Sequence, residues 1–139
     1  MKLSVGKWTK IFLVGAFLGL SVLGFMIKLP SGFRHIDKEL HALFYFLAAG
    51  FLNVLFANNK IHRHLLIFGI LFVLGVTIEY AQEYSNTFLH KKIHGRYDKE
   101  DVQANLKGLI AFSIVWFIYF GFSLLTKRQP VSKSAEISQ

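Results

Sequence analysis

Residues 79–108, EYAQEYSNTFLHKKIHGRYDKEDVQANLKG, connect two long apolar runs and decide how the chain folds. The stretch begins inside one run and ends inside the next, and both junctions carry carboxylates and amides: Glu79, Gln82, Glu83, Asp101 and Asn105. An ionisable group within a membrane segment costs roughly 3 kcal/mol unless it is paired or hydrated. These side chains are therefore candidates for function, and we expect the rest of the chain to hold them in place.

The composition indicates a membrane protein. Of 139 residues, 53% are hydrophobic and 17% are charged, and the mean hydropathy is +0.43, which excludes a disordered chain. The absence of cysteine from the sequence excludes disulfides, thiolate metal sites and cysteine nucleophiles. The net charge of +8 is spread over connectors between apolar runs, which is typical of membrane flanks and predicts no nucleic-acid partner.

Four apolar runs predict transmembrane helices, at residues 11–29, 40–57, 65–81 and 106–125. The first run resembles a signal peptide, but it is long and lacks a small-x-small cleavage site, so we expect it to be retained. The fold class predicted is all-α, an integral membrane four-helix bundle. We expect a single domain, residues 1–125, followed by a polar and disordered tail, residues 126–139.

Four spans place both termini on one side of the membrane and bring the polar helix ends together on the other. Seven of the eight acids fall on that second side. The sixteen Lys and Arg residues divide evenly, eight to each side, so they do not fix the orientation. The three lysines before the first helix, Lys2, Lys7 and Lys10, favour cytoplasmic termini.

The polar residues at this level are three or four positions apart, which places each set on one helix face. The sets are Asp37 with His41, Glu79 with Gln82, and Asp101 with Asn105 and Gly108. We expect Glu79, Gln82, Asp101, Asn105 and His41 to meet in one pocket near the outer interface, with Lys38 or Arg96 as the counter-charge.

The alternative is that these groups only cap helices or link them, each contributing about 0.6 to 2 kcal/mol. That alternative is favoured for Glu83, Glu100, Asn53 and Thr77. A functional site is favoured for Glu79, Asp101 and Asn105, because three helices presenting acids or amides at one level exceeds what packing needs.

Three histidines, His41, His90 and His94, could indicate a metal. Two lysines separate His90 from His94 and the chain offers no thiolate, so we expect neither a metal site nor another cofactor. Replacement of both His90 and His94 by alanine should leave function intact.

Short motifs at these helix ends resemble the VanZ-like family of small bacterial membrane proteins. They are Asp37-Lys38-x-x-His41, Glu79-x-x-Gln82, Arg96, and Asp101-x-x-x-Asn105-x-x-Gly108. The resemblance covers residues 37–119 and identifies these nine residues as the family's signature. It implies a multi-pass protein of the bacterial cytoplasmic membrane with a cell-envelope role, since the founding member is linked to teicoplanin resistance.

Two functional hypotheses remain open. The first is a pocket that binds a membrane lipid or a lipid-linked cell-wall precursor, in which Lys38 and Arg96 meet phosphate or carboxylate. The second is an intramembrane enzyme, with Glu79 or Asp101 as general base and His41 as its partner. A small transporter is less favoured because the sequence carries no detectable internal repeat.

Overall fold

The computed structural model describes residues 5–26, 36–57, 59–90 and 97–127, and within these ranges the regular structure is entirely helical. The α-helices are α1 (Lys7–Met26), α2 (Asp37–Leu52), α3 (Ile61–Leu89) and α4 (Lys99–Lys127). All four helical segments are long and apolar enough to cross a membrane. The predicted fold class, an all-α membrane bundle of four helices, is confirmed.

The prediction that the third helix ends soon after Glu79 is wrong, because α3 continues to Leu89. Hydroxyl groups in this extension bond back to the helix, with Ser85 Oγ donating to Gln82 O and Thr87 Oγ1 to Glu83 O. The helix ends at His90, whose φ of 49° is left-handed. Polar residues end the apolar run, but they do not end a helix. Hydropathy therefore located the end of the apolar run and not the end of α3.

Helix α4 likewise begins before its apolar run. The side chain of Asp98 accepts a hydrogen bond from the backbone N–H of Glu100 at 2.8 Å, which is the geometry of an N-cap. Glu100 and Asp101 occupy the first turn, where acids are favoured by the helix dipole. The predicted preference for Glu100 at a helix start agrees with this position.

Helices α2 and α4 run parallel and form the closest contact in the bundle. A methyl group added at Gly108 would lie 2.1 Å from the carbonyl oxygen of Ala42. Ala48 and Ala49 are also buried, and small residues of this kind allow helices to approach closely. The core around them includes Tyr45, Leu71 and Leu109.

A short π-helix, Asn53–Ala57, follows α2, and basic side chains bind its carbonyls. Lys10 Nζ donates to Leu55 O at 2.9 Å, and Arg63 Nη1 donates to Phe56 O at 3.0 Å. Cations are favoured at helix C-termini, where carbonyls lack helical partners. Lys10 therefore ties the start of α1 to the end of α2.

Helix α1 otherwise contacts the bundle mainly through aromatic packing. The ring of Phe17 lies between those of Phe44 and Phe51, with centroid distances of 5.7 and 5.5 Å. Most of its remaining side chains are exposed, as expected for a helix that faces lipid.

A buried polar network joins α3 and α4 to the π-helix. His64 Nδ1 lies 2.9 Å from Asn53 Oδ1, and His64 Nε2 lies 3.1 Å from Ser113 Oγ. The imidazole stacks on Trp116 with a centroid distance of 4.3 Å. The structural role favoured for Asn53 agrees with these contacts, and Thr77, similarly assigned, donates only to Val73 O of its own helix among the bonds described.

Candidate functional site

The polar cluster lies at the opposite end of the bundle from His64, where the starts of α2 and α4 meet the last third of α3. His41 Nδ1 of α2 lies 2.9 Å from Asn105 Oδ1 of α4, and both residues are buried. An amide oxygen can only accept a hydrogen bond, so His41 Nδ1 is the donor. In the neutral imidazole the lone pair is then on Nε2.

Two aspartates lie close to this ring. Asp37 Oδ1 lies 3.9 Å from His41 Nε2, one helical turn away on α2. Asp101, on the first turn of α4, completes a group in which one donor atom from each residue lies within 4.8 Å of the others. Asp101 Oδ1 is buried and, within the described part of the chain, has no hydrogen-bond partner.

Glu79 adds a further carboxylate beside this group. Its side chain is 1% exposed, and Oε2 accepts a hydrogen bond from the backbone N–H of Asp98 at 3.3 Å. The charges of Asp37, Asp98 and Asp101 are close enough to act on it. Four carboxylates thus crowd one end of the bundle.

Tyr45 connects the His41–Asn105 pair to α3, and sequence analysis did not identify it. A methyl group at Gly75 would lie 2.9 Å from Tyr45 Oη and 3.0 Å from Asn105 Nδ2, so α3 presents its bare backbone to both groups. The Tyr45 side chain is 1% exposed and interacts electrostatically with Glu79. The available signal was its spacing, since Tyr45 is one turn after His41 on the same helix face.

Asp98 was also missed as a site residue, although its main chain binds Glu79 and its side chain caps α4. An acidic residue directly before a helical segment is an N-cap signal. In the sequence, His90 and His94 before it were considered as metal ligands, and Asp98 was not considered.

Three further predicted site residues lie around this cluster and differ in burial and contacts. Gln82 is buried one turn beyond Glu79. Lys38 is largely exposed and forms an ion pair with Glu100, while its charge also reaches Asp101. Gly108 serves the α2–α4 contact through its backbone.

Two of the sequence predictions lie partly or wholly outside the described residues. Arg96 and His94 fall in the range 91–96, so the predicted counter-charge from Arg96 and the predicted dispensability of His94 stay predictions. His90 is exposed at the end of α3.

An apolar groove of about 680 Å³ lies at the other end of the bundle, between α1 and Phe56. Lys7 and Lys10 line it together with Val14 and Leu18. It is separate from the cluster around Glu79.

The fold and the cluster define a polytopic α-helical membrane protein with a buried, acid-rich polar site at one end of the bundle. No protein-family model, curated protein or solved structure matches the chain.

Proposed function

We propose that the chain is a VanZ-like protein of the bacterial cytoplasmic membrane, with a cell-envelope role that includes tolerance of glycopeptides such as teicoplanin. The observation that supports this proposal most is the convergence of residues from three helices. His41, Glu79 and Asn105 are far apart in sequence, yet all three are buried at the same end of the bundle. Packing alone does not need a carboxylate, an imidazole and an amide at one membrane level.

The proposed activity is binding of a lipid-linked or cell-wall-derived group whose polar part enters this cluster. Lys38 lies at its edge and is available to an anionic group through exchange with Glu100, since exposed ion pairs are weak. Tyr80, Tyr84 and Phe88 on the α3 extension are exposed, and aromatic side chains favour the membrane interface, where an acyl or prenyl chain would enter. The face that carries the site is proposed to be the outer one.

The alternative is an intramembrane enzyme acting on an envelope lipid. Near-complete burial of Glu79, within reach of the charge of Asp101, favours this candidate, as does the imidazole of His41 near Asp101, because a water-excluded carboxylate beside an imidazole is suited to proton transfer. Glu79 or Asp101 would be the general base and His41 its partner.

Incubation of the purified protein with envelope lipid extract, followed by mass spectrometry of bound and released lipids, tests both candidates. We expect a retained lipid that is lost in Glu79→Gln, because the amide keeps the shape of the side chain and removes its charge. Glu83→Gln is the matched control, since Glu83 is an exposed acid on the same helix. New lipid products that disappear in Glu79→Gln would instead establish the enzyme.

The family role has its own readout. Expression of the wild-type chain in a susceptible bacterium should raise the inhibitory concentration of teicoplanin, and Glu79→Gln or Asp101→Asn should abolish the rise while the protein still accumulates in the membrane. If those variants disappear from the membrane, the two acids are structural and the proposed site is wrong.

A further inference from the structure

We infer that Asp37, His41 and Asp101 form a binding site for one divalent transition-metal ion, of the type of Mn²⁺ or Zn²⁺. The inference departs from the sequence analysis, which favoured no metal and directed attention to His90 and His94. The residues involved lie on α2 and α4, the two helices that are held together most closely.

The three donor atoms are close enough together to bind one ion. One nitrogen and two carboxylate oxygens lie within 4.8 Å of one another. Metal–ligand bonds of about 2.0 to 2.2 Å place two ligands at most about 4.4 Å apart, so small side-chain rotations suffice to close the group around an ion. Asp37 and His41 share one face of α2, and the Gly108–Ala42 contact fixes α4 beside it.

The imidazole of His41 is oriented as it would be in a metal ligand. Its Nδ1–H donates to Asn105 Oδ1 at 2.9 Å, which leaves the lone pair of the neutral imidazole on Nε2, 3.9 Å from Asp37 Oδ1. A ligating histidine almost always donates its other ring N–H to an acceptor, and that acceptor orients the ring and raises its basicity. Asn105 is the acceptor of that N–H in this site.

Asp101 contributes a buried carboxylate oxygen that a cation would satisfy. Its Oδ1 has no hydrogen-bond partner within the described part of the chain, and a buried carboxylate oxygen without a partner carries a desolvation cost. Glu79, Asp37 and Asp98 add negative charge around it, whereas the nearby Lys38 is paired with Glu100. A divalent cation would satisfy this oxygen and neutralise part of the charge.

The ligand set narrows the choice of ion. Mg²⁺ and Ca²⁺ are bound by oxygen ligands, whereas an imidazole combined with carboxylates suits transition metals. Three protein ligands also leave coordination positions for water or for an oxygen of a bound molecule. On the proposed function, these open positions would receive the phosphate or carboxylate of the lipid-linked group, which the acids alone would repel.

The test uses the full-length protein purified in detergent, stripped with a chelator and titrated with MnCl₂. Bound manganese is measured by elemental mass spectrometry after desalting, and pulsed electron paramagnetic resonance reports nitrogen coupled to the ion. We expect about one ion per chain, with a nitrogen coupling that is lost in His41→Gln. Asp101→Asn should weaken binding about 10-fold or more, and Asn105→Ala about 10- to 100-fold through loss of ring orientation.

Matched controls are His62→Ala and Glu83→Gln, which remove an exposed histidine and an exposed acid of α3 and should leave binding unchanged. Elution volume and melting temperature of the stripped proteins establish that each variant is folded. If Asp101→Asn does not fold, Asp37→Asn replaces it, since Asp37 is the more accessible type of ligand at the rim, with 36% of its side chain exposed.

Wild-type protein that takes up no more manganese or zinc than His41→Gln overturns the inference, as does binding that survives in both aspartate variants. The outcome is distinguishable from that of the proposed function. Metal binding with no retained lipid would keep the site and reject the lipid proposal, whereas lipid retained equally by stripped and metal-loaded protein would reject the bridging role of the ion.

Discussion

The carbonyl oxygen of Ala42 lies directly against the α-carbon of Gly108, so that a single added methyl group would be 2.1 Å from it. No backbone atom tolerates a neighbour at that distance, and α2 and α4 can stay in contact there only because residue 108 has no side chain. The contact lies next to His41 and one turn after Asn105, and it therefore sets their separation.

Gly108→Ala should separate the two helices and destabilise the protein by about 1 to 3 kcal/mol, the usual cost of overpacking. Thermal unfolding in detergent, followed by loss of monodisperse elution, measures the change. The control is Gly121→Ala on the same helix, where nothing lies within 4 Å of the added methyl group and alanine is the better helix former by up to about 1 kcal/mol. Equal melting temperatures for the two variants would contradict the close contact.

The Asn53–His64 hydrogen bond should contribute to stability and not to function. A double-mutant cycle of Asn53→Ala and His64→Ala should yield a coupling energy of about 0.6 to 2 kcal/mol, the range for polar contacts between membrane helices. Thr77→Val, which affects a hydroxyl bonded within its own helix, should change stability by less than about 0.5 kcal/mol. Loss of the proposed teicoplanin tolerance in a His64→Ala protein that remains fully folded would show that this network has a second role.

Lys10 should hold α1 to the bundle through the carbonyl of Leu55. Lys10→Met removes a charged donor 2.9 Å from that oxygen and should weaken the docking of α1 by about 1 kcal/mol. Because the sequence contains no cysteine, a pair introduced at Phe17 and Phe51 reports docking directly, as the rate of disulfide formation. Lys7→Met, one turn earlier, is the control and should leave the rate unchanged.

The membrane orientation is predicted to place both termini in the cytoplasm. The reason is the group of Lys2, Lys7 and Lys10 before the first helix, since positively charged flanks are retained inside. Alkaline phosphatase fused after Ser132 should therefore be inactive, and a fusion after Gly95 should be active. The reverse pattern would move the polar site to the cytoplasmic face without changing its residues.

Much of this architecture could be predicted from hydropathy and helical spacing. Hydropathy located the four spans, and a spacing of three or four residues correctly placed Asp37 with His41 and Asp101 with Asn105 on shared faces. Apolar runs could not give the true length of α3, because a helix that leaves the membrane keeps its hydrogen bonds while its side chains turn polar.

Contacts between helices depend on rotation about each axis, which one sequence does not specify. From the sequence, Tyr45 was therefore one aromatic residue among many. Gly108 was predicted to be a ligand-binding residue. In the structure Tyr45 lies within the polar site and Gly108 holds two backbones together. Likewise the partner of Lys38 proved to be Glu100, the acid that directly precedes Asp101.

The tight α2–α4 seam also determines how a molecule could reach Glu79. Helices α2 and α4 meet there backbone to backbone, whereas α3 at this end is attached by side chains and by the hydrogen bond from Asp98 to Glu79. The His64 network anchors the opposite end of α3 to both the π-helix and α4. Separation of the helices at this end would therefore break the Asp98–Glu79 hydrogen bond before it disturbed the backbone contact between α2 and α4.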